Sequence, residues 1–119
     1  MVLVDTSIWI QHLHSSDQEM AGLLSDERVV VHPLVTGELA CGSMPDRDEI
    51  LALLEELPRP KVSSHAEALA FIEQKKLWGV GLSYIDVHLL ASAMLSNIEL
   101  WTADKHLRAA AQALGVAYA

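Results

Sequence analysis

The chain has one cysteine, Cys41, so no disulfide can close within it. No cysteines or histidines fall at the spacing of a zinc site. No apolar run approaches the roughly 20 residues that a membrane span needs, although mean hydropathy is slightly positive. Met1 passes straight into Val2-Leu3-Val4, with neither a basic leader nor a small-residue cleavage site, so no signal peptide is expected. These absences describe a cytosolic protein. Internal repeats, low-complexity tracts and linker-like stretches are also missing, and the 119 residues are read as a single domain, 1–119. Basic residues are scarce: 8 Lys and Arg stand against 16 Asp and Glu, for a net charge of -8. That balance counts against passive binding to nucleic acid, which relies on basic surface. If such a chain acts on nucleic acid, its acids are either solvated or partly neutralised by bound cations.

Apolar material is plentiful, at 51% of residues, enough to build a core and to argue against disorder. Its distribution alternates between two periods. Short Val-rich or apolar runs predict strands at Met1–Val4, Arg28–His32 and Ile98–Thr102, with shorter ones at Lys61–Val62 and Val116–Tyr118. Between them, helical spacing and cap residues predict helices after Asp5, from Asp17 to Leu24, and from Pro33 to Gly42. Further helices are predicted from Asp46 to Leu57, Ser64 to Leu77, Ser83 to Ser96 and Ala103 to Leu114. Alternating strands and helices predict an α/β fold with a mostly parallel five-stranded sheet covered on both faces. Ligands of such sheets bind beyond the carboxyl ends of the strands, where strand order reverses.

Most acids, such as Asp46, Asp48, Glu49, Glu55, Glu56, Glu67 and Glu73, lie on helices where a solvated face is their ordinary home. Four have apolar surroundings. Asp5 ends the run Val2-Leu3-Val4, and Asp104 follows Leu100-Trp101-Thr102-Ala103. Glu38 lies within Leu34-Val35-Thr36-Gly37-Glu38-Leu39-Ala40, and Asp86 within Tyr84-Ile85-Asp86-Val87-His88-Leu89-Leu90. Each has a simpler explanation. Asp5 could cap the first helix, and Ser83 with Asp86 has capping-box spacing. Asp104 suits the first turn of a helix, and Glu38 could pair with a base. Together, however, clustered carboxylates repel one another and are pushed toward protonation. A divalent cation relieves that, and all-oxygen ligands suit Mg²⁺ or Mn²⁺ rather than zinc. Such an ion activates water and orients a phosphodiester.

Four segments carry a more specific likeness. They are Val2-Leu3-Val4-Asp5-Thr6-Ser7-Ile8-Trp9, Gly37-Glu38-Leu39-Ala40, Leu82-Ser83-Tyr84-Ile85-Asp86-Val87-His88-Leu89-Leu90-Ala91 and Leu100-Trp101-Thr102-Ala103-Asp104-Lys105-His106-Leu107. In this order, over essentially the whole chain, they resemble a PIN domain of the bacterial VapC family. The resemblance implies a three-layer α/β/α fold and a Mg²⁺- or Mn²⁺-dependent endoribonuclease, the toxin of a toxin–antitoxin pair. It implies that Asp5, Glu38, Asp86 and Asp104 are the metal-binding and catalytic acids, with Thr6 and Thr102 as supporting hydroxyls. It also implies a homodimer, a VapB-type antitoxin that covers the site, and a structured RNA target such as tRNA or rRNA. Asp5 and Asp86 are expected to hold the main ion, with Glu38 and Asp104 completing the shell, in part through water.

Other residues are read more plainly. His88 and His106 follow two of the acids by two residues, an offset that turns a helical side chain well away from its neighbour. Both are expected on the polar surface or in contact with substrate. Lys105, His106 and Arg108 could meet phosphates or be a solvated face. Lys75, Lys76 and Trp78 form a small basic and aromatic group, in which Trp78 could stack on a base or pack in the core. Trp9 and Trp101 are assigned to the core, and Cys41 is read as a small buried side chain. A phosphatase with an aspartate nucleophile usually needs a second Asp where this chain has Ser7. A phosphorylated receiver domain spaces its acids differently. A non-catalytic PIN-like binding module is the remaining alternative, and four intact acids argue against it.

Overall fold

The computed structural model describes residues 1–119. In chain order the elements are β1 (Val2–Val4), α1 (Thr6–Ser15), α2 (Gln18–Ser25), β2 (Val29–Val30), α3 (Pro33–Cys41), α4 (Arg47–Glu56), α5 (His65–Lys75), α6 (Tyr84–Ser96), β3 (Glu99–Trp101) and α7 (Lys105–Ala113). The strands form one parallel sheet in the order β2-β1-β3. Val2 pairs with Val29 and Glu99, Leu3 with Val30 and Leu100, and Val4 with Trp101. Successive strand side chains point to opposite faces, yet Val2, Leu3 and Val4 are all 0% exposed. The sheet is therefore covered on both sides, as parallel sheets require. The two partners of β1 lie on opposite sides of it, so strand order reverses at its carboxyl end. Asp5 stands there.

The sheet has three strands rather than the five expected. At Val116–Tyr118 only an isolated parallel bridge joins Leu100 to Ala117. Its bonds run from Leu100 N to Val116 O (2.7 Å) and from Tyr118 N to Leu100 O (3.0 Å). At Lys61–Val62 no strand forms. Pro58 and Pro60 have no N–H to give to a ladder. Lys61 spends its own N–H on Ser96 Oγ (2.8 Å). What remains is one bond, from Val31 N to Pro58 O (2.9 Å).

Most helices start where short polar side chains predict. Asp5, Asp17, Ser64, Ser83 and Asp104 each accept from a first-turn N–H, and Ser64 with Glu67 and Ser83 with Asp86 close capping boxes. The cap of α3 is different. His32 is 0% exposed, and its Nδ1 accepts from Leu34 N at 3.0 Å. The neutral ring then carries its proton on Nε2, which has no hydrogen-bond partner. The His88 ring sits edge-on beside it, 6.1 Å away between centroids. Burial holds the His32 pKa down at about 4, and the nearby His88 adds to the effect. A second proton would have to enter at Nδ1, where it would face the Leu34 N–H and break the cap.

The sign follows from linkage. The unfolded chain binds a proton at His32 near pH 6.5 and the folded chain only near pH 4. Folding is therefore at full strength above about pH 6.5 and weakens as pH falls toward 4. The loss from this group is on the order of 2–3 kcal/mol. His32→Asn keeps a capping acceptor and removes the titration. In urea unfolding across this pH range, the variant is expected to lose less stability than wild type by about that amount. Parallel pH profiles for the two proteins would refute the assignment.

Candidate metal and active site

Asp5 leaves β1 and caps α1 in one step, which sets its carboxylate at the carboxyl edge of the sheet. It is 7% exposed, and protein donors hold both of its oxygens. Oδ1 accepts from Thr6 N (2.7 Å). Oδ2 accepts from Ser7 Oγ (2.9 Å) and from Thr102 Oγ1 (2.6 Å). Thr102 is 2% exposed and lies just past β3. Its hydroxyl also accepts from Asp104 N (3.0 Å), so one side chain ties Asp5 to the backbone of a second acid. Ser7 makes the same kind of link, since its Oγ accepts from Ala103 N (3.1 Å). A bond from Asp5 N to Trp101 O (2.9 Å) closes the strand ends together.

The other acids arrive from three helices. Asp104 caps α7 through a bond from Leu107 N to Oδ1 (2.9 Å). Asp86 lies in the first turn of α6 and accepts from Ser83 N on Oδ2 (2.9 Å). Glu38 is on α3, with Oε1 accepting from Thr6 Oγ1 (2.7 Å). In each case one oxygen is fixed and the other receives no hydrogen bond from the protein. No lysine, arginine or histidine forms an ion pair with any of the four. Burial pushes the Asp86 carboxyl up, its Ser83 hydrogen bonds oppose that, and the charges of Asp5 and Asp104 raise it further. Asp5, Asp86 and Asp104 thus feel one another, and Thr6 joins Glu38 to the same end of the sheet.

No three Asp, Glu, His or Cys side chains stand close enough to share one ion directly. The donor set is nonetheless oxygen-only, anionic and without a protein counter-charge, with one free oxygen on each of three acids. That is the chemistry of a hard divalent ion that keeps several waters, as Mg²⁺ does. The residues fit such an ion with water filling part of its shell.

Several expectations need correction. Glu38 is exposed and pairs with no base, whereas Arg108 donates to Thr102 O (3.2 Å) and not to an acid. His88 is buried at 6% exposure and not on the polar surface. Its Nδ1 lies 3.2 Å from Ser63 Oγ, and its ring packs edge-on against Tyr84 at 4.6 Å. Tyr84 in turn reaches His65 Nδ1 (2.5 Å). An offset of two from Asp86 turned His88 inward, toward His32 and Ser63. Cys41 is exposed, because α3 ends there at the surface. Trp9 is in the core at 4% exposure, Trp101 is half-buried against Tyr118, and Trp78 is 59% exposed. Ser7 is the participant that sequence reading missed; its signal was a hydroxyl two residues after a strand-ending acid.

Comparison with known proteins matches the chain to a family. The PIN domain family matches residues 2–113. Ribonuclease VapC32 of Mycobacterium tuberculosis, from two strains, is 46% identical over 120 aligned residues. Those residues cover 100% of this chain and 97% of the relative. A crystal structure of PAE2754 from Pyrobaculum aerophilum superposes with a TM-score of 0.59 over 92% of this chain and 78% of that one. At 16% identity that likeness speaks for the fold alone. With a family match spanning nearly the whole chain and a relative similar from end to end, the chain belongs to the PIN-domain family, among its VapC members.

Proposed function

We propose that this protein is a divalent-metal-dependent endoribonuclease, the toxin of a toxin–antitoxin pair. It hydrolyses a phosphodiester bond in a structured RNA such as tRNA or rRNA. The observation that carries this is the buried Asp5 carboxylate, held by Thr6 N, Ser7 and Thr102, with Asp86 so near it and Asp104 that their charges add to the rise burial gives the Asp86 pKa. The curated relative's name, a ribonuclease, supports the substrate class. Mg²⁺ is the expected cofactor, and Mn²⁺ can substitute. The protein acts as a homodimer in the cytoplasm and is silenced by a VapB-type antitoxin. An exposed, unpaired Cys41 thiol suits a reducing compartment.

Asp5 and Asp86 would hold the ion, with Glu38 and Asp104 completing its shell in part through water. Bound there, the ion supplies charge to the phosphoryl oxygen and lowers the pKa of water at the site. The chain's own contribution is orientation. Thr102 and Ser7 fix the plane of the Asp5 carboxylate, and Thr6 fixes one oxygen of Glu38. The caps at Ser83 and Leu107 each leave one oxygen of Asp86 and of Asp104 facing away from the helix donors. Because these bonds stand before substrate arrives, the acids need little reorganisation during reaction.

Asp5→Asn keeps a capping side chain and removes one negative charge. Induced in a bacterial host without antitoxin, wild type is expected to create new RNA 5′-phosphate ends at one or a few sites. The variant is expected to create none while unfolding at a similar denaturant concentration. Ends carrying 2′,3′-cyclic phosphate would contradict hydrolysis by activated water. A failure to bind Mn²⁺ at saturating concentration would favour a non-catalytic binding module.

Thr102→Val is isosteric and removes two bonds at once. It leaves Asp5 short of a donor and Asp104 N short of an acceptor. The expected cost is about 1–3 kcal/mol in chemical unfolding, with a fall in cleavage rate. Thr102→Ser should recover most of both. Unchanged stability and rate in the valine variant would mean that the hydroxyl does not position Asp5.

A further inference from the structure

Trp78 and Val80 are 59% and 47% exposed, in the loop between α5 and α6. A tryptophan this open is unusual for a side chain with no partner. The end of the loop that leads into α6 is held beside the acid cluster from two directions. Its downstream end is Ser83, which caps the helix carrying Asp86. Its middle rests on α7: at Gly81 (φ +84°) an added Cβ would come within 2.8 Å of the His106 ring. His106 is two residues past Asp104. Gly81 therefore has no side chain because the imidazole occupies that space, and the contact joins the Trp78 loop to the helix capped by Asp104.

The charge around this loop differs from that of the rest of the molecule. The chain carries 16 acids, yet none falls between Lys75 and Ser83. Arg47 and Arg59 are the bases held in ion pairs. Lys105, beside His106, makes no ion pair, whereas Lys75 lies in a groove with Met94 and Leu95, toward the other end of α6 from Asp86. Arg108 is anchored at Thr102 O, next to Asp5. In a protein of net charge -8, this sector pairs unneutralised cations with an open aromatic ring and borders the acids. Cations that track phosphates beside a ring that stacks bases are the two parts of a single-strand platform.

We propose that the Trp78–Gly81 loop is a nucleobase-stacking subsite on the rim of the acid cluster. There Trp78 stacks on an unpaired base, while Lys105 meets a flanking phosphate. This deepens the ribonuclease reading and rests on it for the identity of the ligand. The subsite selects unpaired segments, because a base within a duplex does not present its face to a side chain. It also accounts for an acidic protein engaging RNA: a small cationic sector needs a stacking contact to hold a strand that most of the surface repels.

The test uses the full-length protein in EDTA, so that binding is read without cleavage. The probes are a mixed-sequence single-stranded RNA oligonucleotide carrying 2-aminopurine, and the same RNA annealed to its complement. Wild type should bind the single strand more tightly and quench the 2-aminopurine. Trp78→Ala should lose roughly five- to hundredfold in single-strand affinity, lose the quenching, and leave duplex binding and thermal unfolding unchanged. Trp78→Phe, which keeps a ring, should restore most of the affinity. Equal single-strand affinity for wild type and Trp78→Ala would overturn the subsite, as would the absence of measurable binding by wild type. If Trp78→Ala left RNA binding intact but changed the oligomeric mass, the loop would be a protein contact and the subsite would fall. Cleavage in Mg²⁺ is scored separately. Trp78-dependent binding without any cleavage leaves the subsite standing and removes the nuclease. Cleavage with Trp78-independent binding does the reverse.

Discussion

The fold depends on bringing a carboxylate to the end of a fully buried strand and hydrogen-bonding both of its oxygens there. Asp5 follows three side chains with no exposed surface. A buried polar group without partners is costly. Three donors, Thr6 N, Ser7 Oγ and Thr102 Oγ1, supply those partners from within the protein. Much of the local structure follows from supplying those donors. Helix α1 begins at Asp5 so that its first N–H groups face the carboxylate. Strand β3 pairs with β1 in the register that places Thr102 opposite the strand end. The carbonyl of Trp101 takes the Asp5 N–H and locks that register.

The simple and the functional readings of the acids turn out not to compete. Asp5 and Asp104 are N-caps, and Asp86 closes a capping box. A cap uses a helix N–H to hold one carboxylate oxygen in place. For Asp86 and Asp104 the second oxygen stays free of protein donors. Helix dipoles also favour negative charge at these termini, which eases the crowding of like charges near Asp86. Three helix starts converge on the end of the sheet, and their capping requirement is met by the same acids that a cation would need.

Polar groups behind the site add a second constraint. His32 and His88 lie close together and buried, with Ser63 beside them, and burial lowers both histidine pKa values. Each ring has to remain neutral for its neighbours to pack. The cap of α3, and with it the helix that presents Glu38, therefore depends on pH even though no member of this group belongs to the acid cluster.

The sequence by itself determined the seven helices and the three paired strands, and it marked out four acids as candidates. Val-rich runs, cap residues and stop signals are local, and they placed all seven helices close to their observed limits. The acids stood out because Asp5 and Asp104 end apolar runs, at the strand ends where ligands of parallel sheets bind. The outer strands were not legible as absent. Lys61–Val62 has strand-like composition, but the Lys61 N–H goes to Ser96, a partner distant in sequence. The sequence put His88 on the surface and left Trp78 open for the same reason: which way a side chain faces depends on the element packed against it. Only the tertiary structure could link Asp5 to Thr102 across 97 positions, turn His88 inward and seat His106 on Gly81. Local propensity acts over one helical turn or one strand, whereas hydrogen bonds and packing between distant segments exist only once the chain has closed around its core.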